Sequence, residues 1–443
     1  MAREMKDSKI EWIGLIPYDW KLERLKWILA ERKEKNDPQK TDFILSLGAA
    51  YGVIPYSEKE GGGNKAKESL TDYRLAYPND IVMNSMNIIS GSVGISKFFG
   101  CVSPVYYILY PHNPENDSRF YCYLFQTIAF QRSLLGLGNG ILMKESSSGN
   151  FNTVRMRIPM EKLGVQLIPV PPSDEQRRIV AFLDSECTKI DTVIEQTRAS
   201  IVEYKNLKQA VITQAVTKGI QANRQMKDSG IEWIGEIPAD WHICKLKHIG
   251  SAQNGISKGG EFFGEGSPFV SYGDVYRNYS LPLEVKGLIR STEEEQKQYS
   301  VERGDIFFTR TSETIEEVGF SSVCEKTIPN ATFAGFLIRV RPYDDTLDVG
   351  YSKYYFRSNH HRYYLVKQMN LVTRASLGQP LLKGIPVLVP SKEEQIEIAS
   401  FLDKECSEID TIITKKEGLV SELEGYKKSI IFEYITGKKE VPA

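Results

Sequence analysis

The strongest constraint on this chain is that it repeats itself. Met5 to Trp20 reads MKDSKIEWIGLIPYDW and Met226 to Trp241 reads MKDSGIEWIGEIPADW, identical at 13 of 16 positions across an offset of 221. Glu175 to Ile194, EQRRIVAFLDSECTKIDTVI, returns as Glu394 to Ile413, EQIEIASFLDKECSEIDTII, with 12 of 20 identities at an offset of 219. Two motifs in the same order at nearly the same spacing make two copies of one plan, which has to be read before any local pattern. Each copy runs opening motif, divergent middle, then a repeated charged and apolar stretch. A length of 443 residues leaves room for about three compact units, so one small stapled module is excluded.

The repeated stretches read as long helices. Val180, Leu183, Cys187, Ile190, Ile194, Thr197, Ile201, Tyr204 and Val211 recur at three- and four-residue spacing, which keeps one narrow apolar seam along a helix. The second copy places Ala399, Leu402, Cys406, Ile409, Ile413, Lys416, Val420, Leu423 and Ile430 in the same register. Pro172, Ser173 and Gln176 suggest a capping-box start, as do Pro390, Ser391 and Glu394. About 46 residues at 1.5 Å each give a rod of roughly 70 Å. The first helix feeds the second middle and the second helix leaves it, so the two are expected to run antiparallel. Two separate amphipathic helices, each packed on its own head, are the alternative for this seam.

The middles, Lys21 to Val170 and His242 to Val389, have another texture. Short runs such as Val105 to Tyr110, Ile306 to Thr309 and Phe336 to Val340 lie between Gly, Asn, Pro and Ser clusters, which are strand and turn signals. Helices are expected at Phe120 to Leu135 and Tyr351 to Lys367, giving an α+β class for each middle. Asn79-Asp80-Ile81 matches Gly304-Asp305-Ile306, and Ser92-Val93-Gly94 matches Glu317-Val318-Gly319, so a shared fold under divergent surfaces is expected. The whole reads as two similar mixed α/β heads separated by an antiparallel two-helix coiled coil, with a pseudo-two-fold internal repeat. The expected domains are 1–170, the first helix 171–219, 220–389 and the second helix 390–443.

Composition excludes several classes. With 41% hydrophobic and 26% charged residues the chain is a folded protein rather than a disordered one. No run of 18 apolar residues and no hydrophobic stretch after the charged start suggest a membrane span or a secretory signal, so a cytoplasmic location is expected. Six cysteines without a C-x-x-C pair and five histidines without H-E-x-x-H indicate neither a zinc site nor a disulfide framework. Adjacent His360 and His361 point in different directions on a regular element and read as surface or partly packed residues rather than ligands of one metal.

The net charge of −1 averages unlike segments. Residues 21–170 hold 18 basic and 14 acidic side chains and residues 242–390 hold 18 and 16, so both heads are mildly basic. The first helix is balanced at 7 and 7, whereas residues 391–436 hold 6 and 11. This distribution permits phosphate binding by the heads. In the first head, Lys65 and Lys67 in the Gly61-Gly62-Gly63-Asn64-Lys65-Ala66-Lys67 loop are candidates for tracking phosphates, with an ordinary surface loop as the plain reading. Lys97 and Lys144 are further basic DNA-binding candidates. Asn84 and Asn87, with Ser85 between them, follow an apolar run and are candidates for reading adenine edges, although Asn at a strand end is also a turn former. The second head offers Tyr272, Arg277, Asn278, Arg310, Thr311 and Arg374, with Arg310 placed after a strand-like run and suited to bidentate contact with guanine.

Catalytic patterns fail. There is no G-x-x-x-x-G-K-[ST], no G-x-S-x-G, and no Asn-Pro-Pro-aromatic or Asp-Pro-Pro-aromatic tetrad. Asp274 with Glu284 and Lys286 offers two carboxylates and a lysine at loose spacing, the basis of a competing metal-dependent DNA endonuclease reading. A coiled-coil protein adaptor is the third reading.

The repeated residues resemble a known family. Pro171-Pro172-Ser173-Asp174-Glu175-Gln176, Ile179 to Asp184 and Ile190-Asp191, with Glu394-Gln395, Phe401-Leu402-Asp403 and Ile409-Asp410, are similar to the conserved regions of type I restriction-modification DNA specificity subunits. Ile13-Gly14-x-Ile16-Pro17-x-x-Trp20 and its copy at Ile234 to Trp241 resemble the segment that opens each target recognition domain there. The resemblance spans the chain and implies a non-catalytic reader of double-stranded DNA whose heads each recognise half of a bipartite target. It implies partners as well: two adenine-N6 methyltransferase subunits and an ATP-driven translocase-nuclease subunit. S-adenosylmethionine, ATP and magnesium are expected on those partners and no cofactor on this chain. The acidic second helix is expected to face protein, with Glu397, Glu408 and Glu422 as partner-binding candidates.

Overall fold

The computed structural model describes residues 3–48, 52–59, 66–67, 69–141, 155–312, 318–368 and 375–442. The chain divides into two compact units, one of residues 1–197 and 418–443 and the other of residues 198–417. Each unit contains one head, one opening motif and part of each long helix.

In the first unit a four-stranded antiparallel sheet is built from β1 (Leu29–Glu31), β2 (Ile81–Asn84), β3 (Val93–Ile95) and β4 (Tyr106–Pro111), in the order β1-β4-β2-β3. Helices α1 (Ser118–Gln126) and α2 (Ile128–Ser133) follow it, and the long α3 (Ser173–Lys218) begins in this unit. In the second unit β5 (Gly250–Asn254), α4 (Tyr272–Arg277), β6 (Ile306–Thr309), β7 (Ser321–Val323), β8 (Leu337–Pro342), α5 (Val349–Tyr355) and α6 (Asn359–Gln368) lead to the long α7 (Lys392–Ile435). Its sheet has the order β5-β8-β6-β7, again antiparallel throughout. The same order in both sheets is the shared fold that the matching fragments predicted.

The match at Asn79-Asp80-Ile81 and Gly304-Asp305-Ile306 has a clear cause. Asn79 and Gly304 both have positive φ, at 71° and 93°, and each turns the chain into the central strand. The following aspartates then accept from the amide three residues back, Tyr77 in one head and Glu302 in the other. The second expected match is out of register by three residues. Asn84 N donates to Ser92 O, and its counterpart Thr309 N donates to Phe320 O, so Phe320, not Glu317, is the equivalent of Ser92. Gly91 and Gly319, at φ 75° and 76°, are the true pair.

Each expected head helix is broken in two. The first stops at Thr127, whose extended backbone and Oγ1, accepting from Phe130 N, start α2 afresh. The second stops after Tyr355, where Ser358 Oγ takes the Tyr355 carbonyl. Periodicity carried across both breaks because the apolar faces of the two pieces enter the same core.

The long helices run as the seam predicted. Val180, Leu183, Cys187, Ile190, Ile194, Thr197 and Ile201 are all buried, as are Ala399, Leu402, Cys406, Ile409, Ile413 and Ile430. Within the first unit Phe182 meets Tyr434 at 4.5 Å between ring centroids and Asp191 meets Lys427 at 2.6 Å. Within the second, Lys205 pairs with Glu417 at 3.6 Å and Lys208 with Asp410 at 2.6 Å. Partner numbers fall as α3 numbers rise, so the helices are antiparallel in each unit. The expected capping boxes do not form as drawn. The Gln176 side chain turns to Pro171 O and Asn116, and Glu394 gives its amide to Ser391 Oγ while its carboxylate goes elsewhere.

Candidate nucleic-acid interface

The repeated motifs meet, and their meeting explains why they repeat. Trp20, fully buried, donates Nε1 to Glu175 Oε2 at 2.9 Å, and Arg3 donates Nη2 to the same oxygen at 2.9 Å. In the second unit Trp241 donates to Glu394 Oε2 at 2.8 Å and Arg224 pairs with Glu394. Each arginine also lies 5.7 Å from the centre of its tryptophan ring. The carboxylates hold both guanidinium groups firmly charged, above the usual range for arginine. A buried carboxylate is costly unless such partners satisfy it. The tryptophan of the opening motif is therefore a dowel that fixes the start of the long helix.

The next residue fixes the head. Gln176 accepts from Asp117 N at 3.0 Å, and Gln395 accepts from Asp348 N at 2.7 Å. Asp117 and Asp348 are the N-caps of α1 and α5. About two turns further along each long helix, Tyr123 donates to Asp184 and Tyr354 to Asp403, both at 2.7 Å. Burial and the neighbouring carboxylate push both phenols up, so they remain donors. Glu, Gln and Asp of the repeat thus position the opening motif and the head helix against the long helix.

The predicted reading residues lie on the divergent parts. Lys67 and Lys97 are exposed, Lys97 on the rim of a cleft of about 920 Å³ that also holds Arg119 and Asp184. Asn84 ends β2 and its Oδ1 accepts from Met86 N at 3.0 Å, which is the turn-forming role; Asn87 is half-buried at the start of the next turn. In the second head Tyr272 and Arg277 stand at the two ends of α4, with Tyr272 stacked on Tyr276 at 5.9 Å and Arg277 exposed. Asn278 gives its side-chain amide back to Asp274 O at 2.8 Å. Arg310 follows β6, and Thr311 pairs with Ser376. Lys65, Lys144 and Arg374 lie outside the described residues. Glu397, Glu408 and Glu422 are exposed on α7.

Two residues that sequence reasoning missed organise the second head. Arg357, largely buried, donates to the carbonyls of Val275, Tyr276, Asn278 and Ser321, which closes the C-terminal end of α4. In the first head Gln126 donates to the equivalent carbonyl, Val93 O, at 3.3 Å and to Cys122 Sγ. The larger side chain therefore holds an insert that the first head lacks. The other is Phe336, 65% exposed beside Arg310. A single Phe in a turn carries no sequence signal until the strand ends are known.

The competing chemistry loses its first carboxylate. Asp274 Oδ2 accepts from Ser271 N at 2.8 Å and Ser271 Oγ at 2.7 Å in a complete capping box, so it serves α4. Among the described residues no three His, Cys, Asp or Glu side chains gather as a metal cluster. Burial pushes the Cys122 thiol up to about 12 and the Cys187 and Cys406 thiols up to about 11, far from reactive thiolates. The expectation for His360 and His361 is corrected. Both are buried, at 5% and 3% exposure, and their rings lie 3.9 Å apart, because α6 turns this end inward onto Tyr355 and Phe356.

Residues 238–420 match the family model of the type I restriction modification DNA specificity domain. The chain is 24% identical over 438 residues to the type I restriction enzyme MjaVIII specificity subunit of Methanocaldococcus jannaschii, covering 96% of this chain and 94% of that one. It is 25% identical over 280 residues to the EcoKI specificity subunit of Escherichia coli, covering 61% of this chain and 57% of that protein. Among solved structures, one from a study of complex assembly and conformational transition of the type I R-M system superposes with a TM-score of 0.71 at 15% identity, covering 96% of this chain and 99% of the other. The HsdS subunit from Thermoanaerobacter tengcongensis superposes at 0.51, also at 15% identity, covering 96% and 98%.

Proposed function

From the premise that this chain belongs to the family of type I restriction-modification DNA specificity subunits, we propose that it reads a bipartite double-stranded DNA target, one half with each head. It is not itself an enzyme. The observation that carries the reading is the duplicated frame. The same sheet order and the same Trp-Glu-Arg cluster recur in both units, whereas the strand ends and inserts differ. A frame kept constant under variable tips is what two different short readings on one duplex require.

In this reading Lys67 and Lys97 meet phosphates, Asn84 and Asn87 serve the first half-target, and Tyr272, Arg277, Asn278, Arg310 and Thr311 serve the second. Two methyltransferase subunits and a translocase-nuclease subunit assemble on the chain, with Glu397, Glu408 and Glu422 offering an acidic surface to basic partner residues. S-adenosylmethionine, ATP and magnesium belong to those partners, which would make the assembled complex an adenine methyltransferase and an ATP-dependent endonuclease. Among the described residues no helix is long and apolar enough to cross a membrane.

The test is an exchange. Residues 21–170 are replaced by the corresponding middle of a relative, the hybrid is co-expressed with its methyltransferase, and modified adenines are mapped. One half of the modified sequence should change and the other should stay. A hybrid that modifies the original sequence in both halves refutes autonomous heads.

A further inference from the structure

The two heads share one backbone junction that presents different side chains. In the first head, Ser85 follows β2, Ser85 N donates to Val105 O at 3.4 Å, and Ile158 N donates to Ser85 O at 3.1 Å. In the second, Arg310 follows β6, Arg310 N donates to Phe336 O at 2.9 Å, and Leu377 N donates to Arg310 O at 2.7 Å. These are the same three strands meeting in the same way. The side chains are not alike. Ser85 is 1% exposed and turns its Oγ inward to Val105 O at 2.6 Å. Arg310 is half-buried with no ion-pair partner among the described residues, and the ring beside it stands 65% in solvent where Val105 stands 39%.

The junction is closely packed. A Cβ on Gly255 would lie 2.2 Å from the carbonyl oxygens of both Phe333 and Ala334, and one on Gly335 would lie 2.2 Å from Ser257 Oγ. Only glycine lets the β5 end brace the turn that carries Phe336 this closely. An isolated exposed Phe needs no explanation. Here the ring is held by a backbone bond to the residue whose guanidinium has no ion-pair partner among the described residues, on a closely packed strand end, and the equivalent positions of the first head show neither group. Preorganised groups of this kind spend little ordering entropy on contact.

We propose that Arg310 and Phe336 together read a thymine–guanine step in the half-target of the second head. The guanidinium donates to guanine O6 and N7, the acceptor pair that only guanine offers in the major groove, and the ring covers the C5-methyl of the thymine beside it. The inference rests on the DNA-reading function above and deepens it. It also accounts for the Ser85 junction, which leaves the first head to read through other positions.

The experiment uses the full chain co-purified with its methyltransferase subunit, acting on duplexes randomised across the target. The wild-type complex should require a TG step in the second half-target, and deoxyuridine in place of that thymine should lower methylation by roughly fivefold or more. Phe336→Ala should abolish the difference between thymine and deoxyuridine while keeping the guanine. Arg310→Ala should admit other bases at the guanine, and Arg310→Lys, which keeps the charge and loses the fork, should do the same should the alanine variant fail to fold. All three should leave the first half-target intact. Variants that keep the wild-type sequence requirement and the wild-type deoxyuridine response overturn the proposal, including the case where they weaken assembly and so mark a protein contact. A wild-type complex that methylates without sequence preference would instead remove the DNA-reading function itself.

Discussion

A buried Trp Nε1 on a buried carboxylate is the residue-scale fact from which most of the fold follows. Glu394→Ala leaves Trp241 without an acceptor and Arg224 without its charge partner, and should cost about 3 kcal/mol in a urea titration. Glu394→Gln keeps an acceptor and should cost less. The histidine pair makes a second prediction. Burial lowers the His360 pKa from 6.5 to about 3 and holds His361 well down, the neighbouring ring adding to the effect. Both are neutral when folded, while the unfolded chain takes up protons below pH 6.5. Stability is therefore complete above that value and falls toward pH 3, by up to about 1.4 kcal/mol per pH unit for each imidazole. His360→Gln should flatten the dependence of the urea midpoint between pH 7 and pH 5; an unchanged slope would contradict the assignment. The motif itself was visible in the sequence, but its role was not. A repeat of Trp and Glu does not say that the two touch across 155 residues, and adjacent histidines look exposed until the helix that holds them is folded inward.

At the scale of elements, the long helices were the most legible part, because a heptad seam of some thirty residues leaves little freedom in register or type. Ile413 sits in the seam at 7% exposure with Ile201 and Ile409. Ile413→Ala should destabilise by about 2–4 kcal/mol, whereas the exposed Glu408→Ala should change stability by less than about 0.5 kcal/mol, both read from thermal or urea unfolding. The head helices were legible as apolar periodicity and illegible as two pieces each. Thr127 and Ser358 end them through local hydroxyl bonds that a hydrophobic pattern does not record. The false match at Ser92 has a similar origin: three extra residues before β7 preserve a Val-Gly pair while moving it out of the strand.

For the whole molecule, duplication was the readable property and the contents of the heads were not. Loop and insert geometry depends on long-range contacts such as Arg357 with the carbonyls around α4, and no spacing rule announces them. The two units also differ in how the chain builds them. Residues 198–417 are continuous, whereas the first unit needs 418–443 to complete it, with Ile430, Tyr434 and Ile435 buried in the core that holds Ile179 and Leu183. Expressed alone, 198–417 should give a cooperative melt, and 1–197 should not until 418–443 is supplied as a separate peptide. The same discontinuity orders events on the ribosome. The head translated earlier must wait, its hydrophobic flank uncovered, until residues 418–443 emerge, so of the two units the one begun first is the last to be sealed.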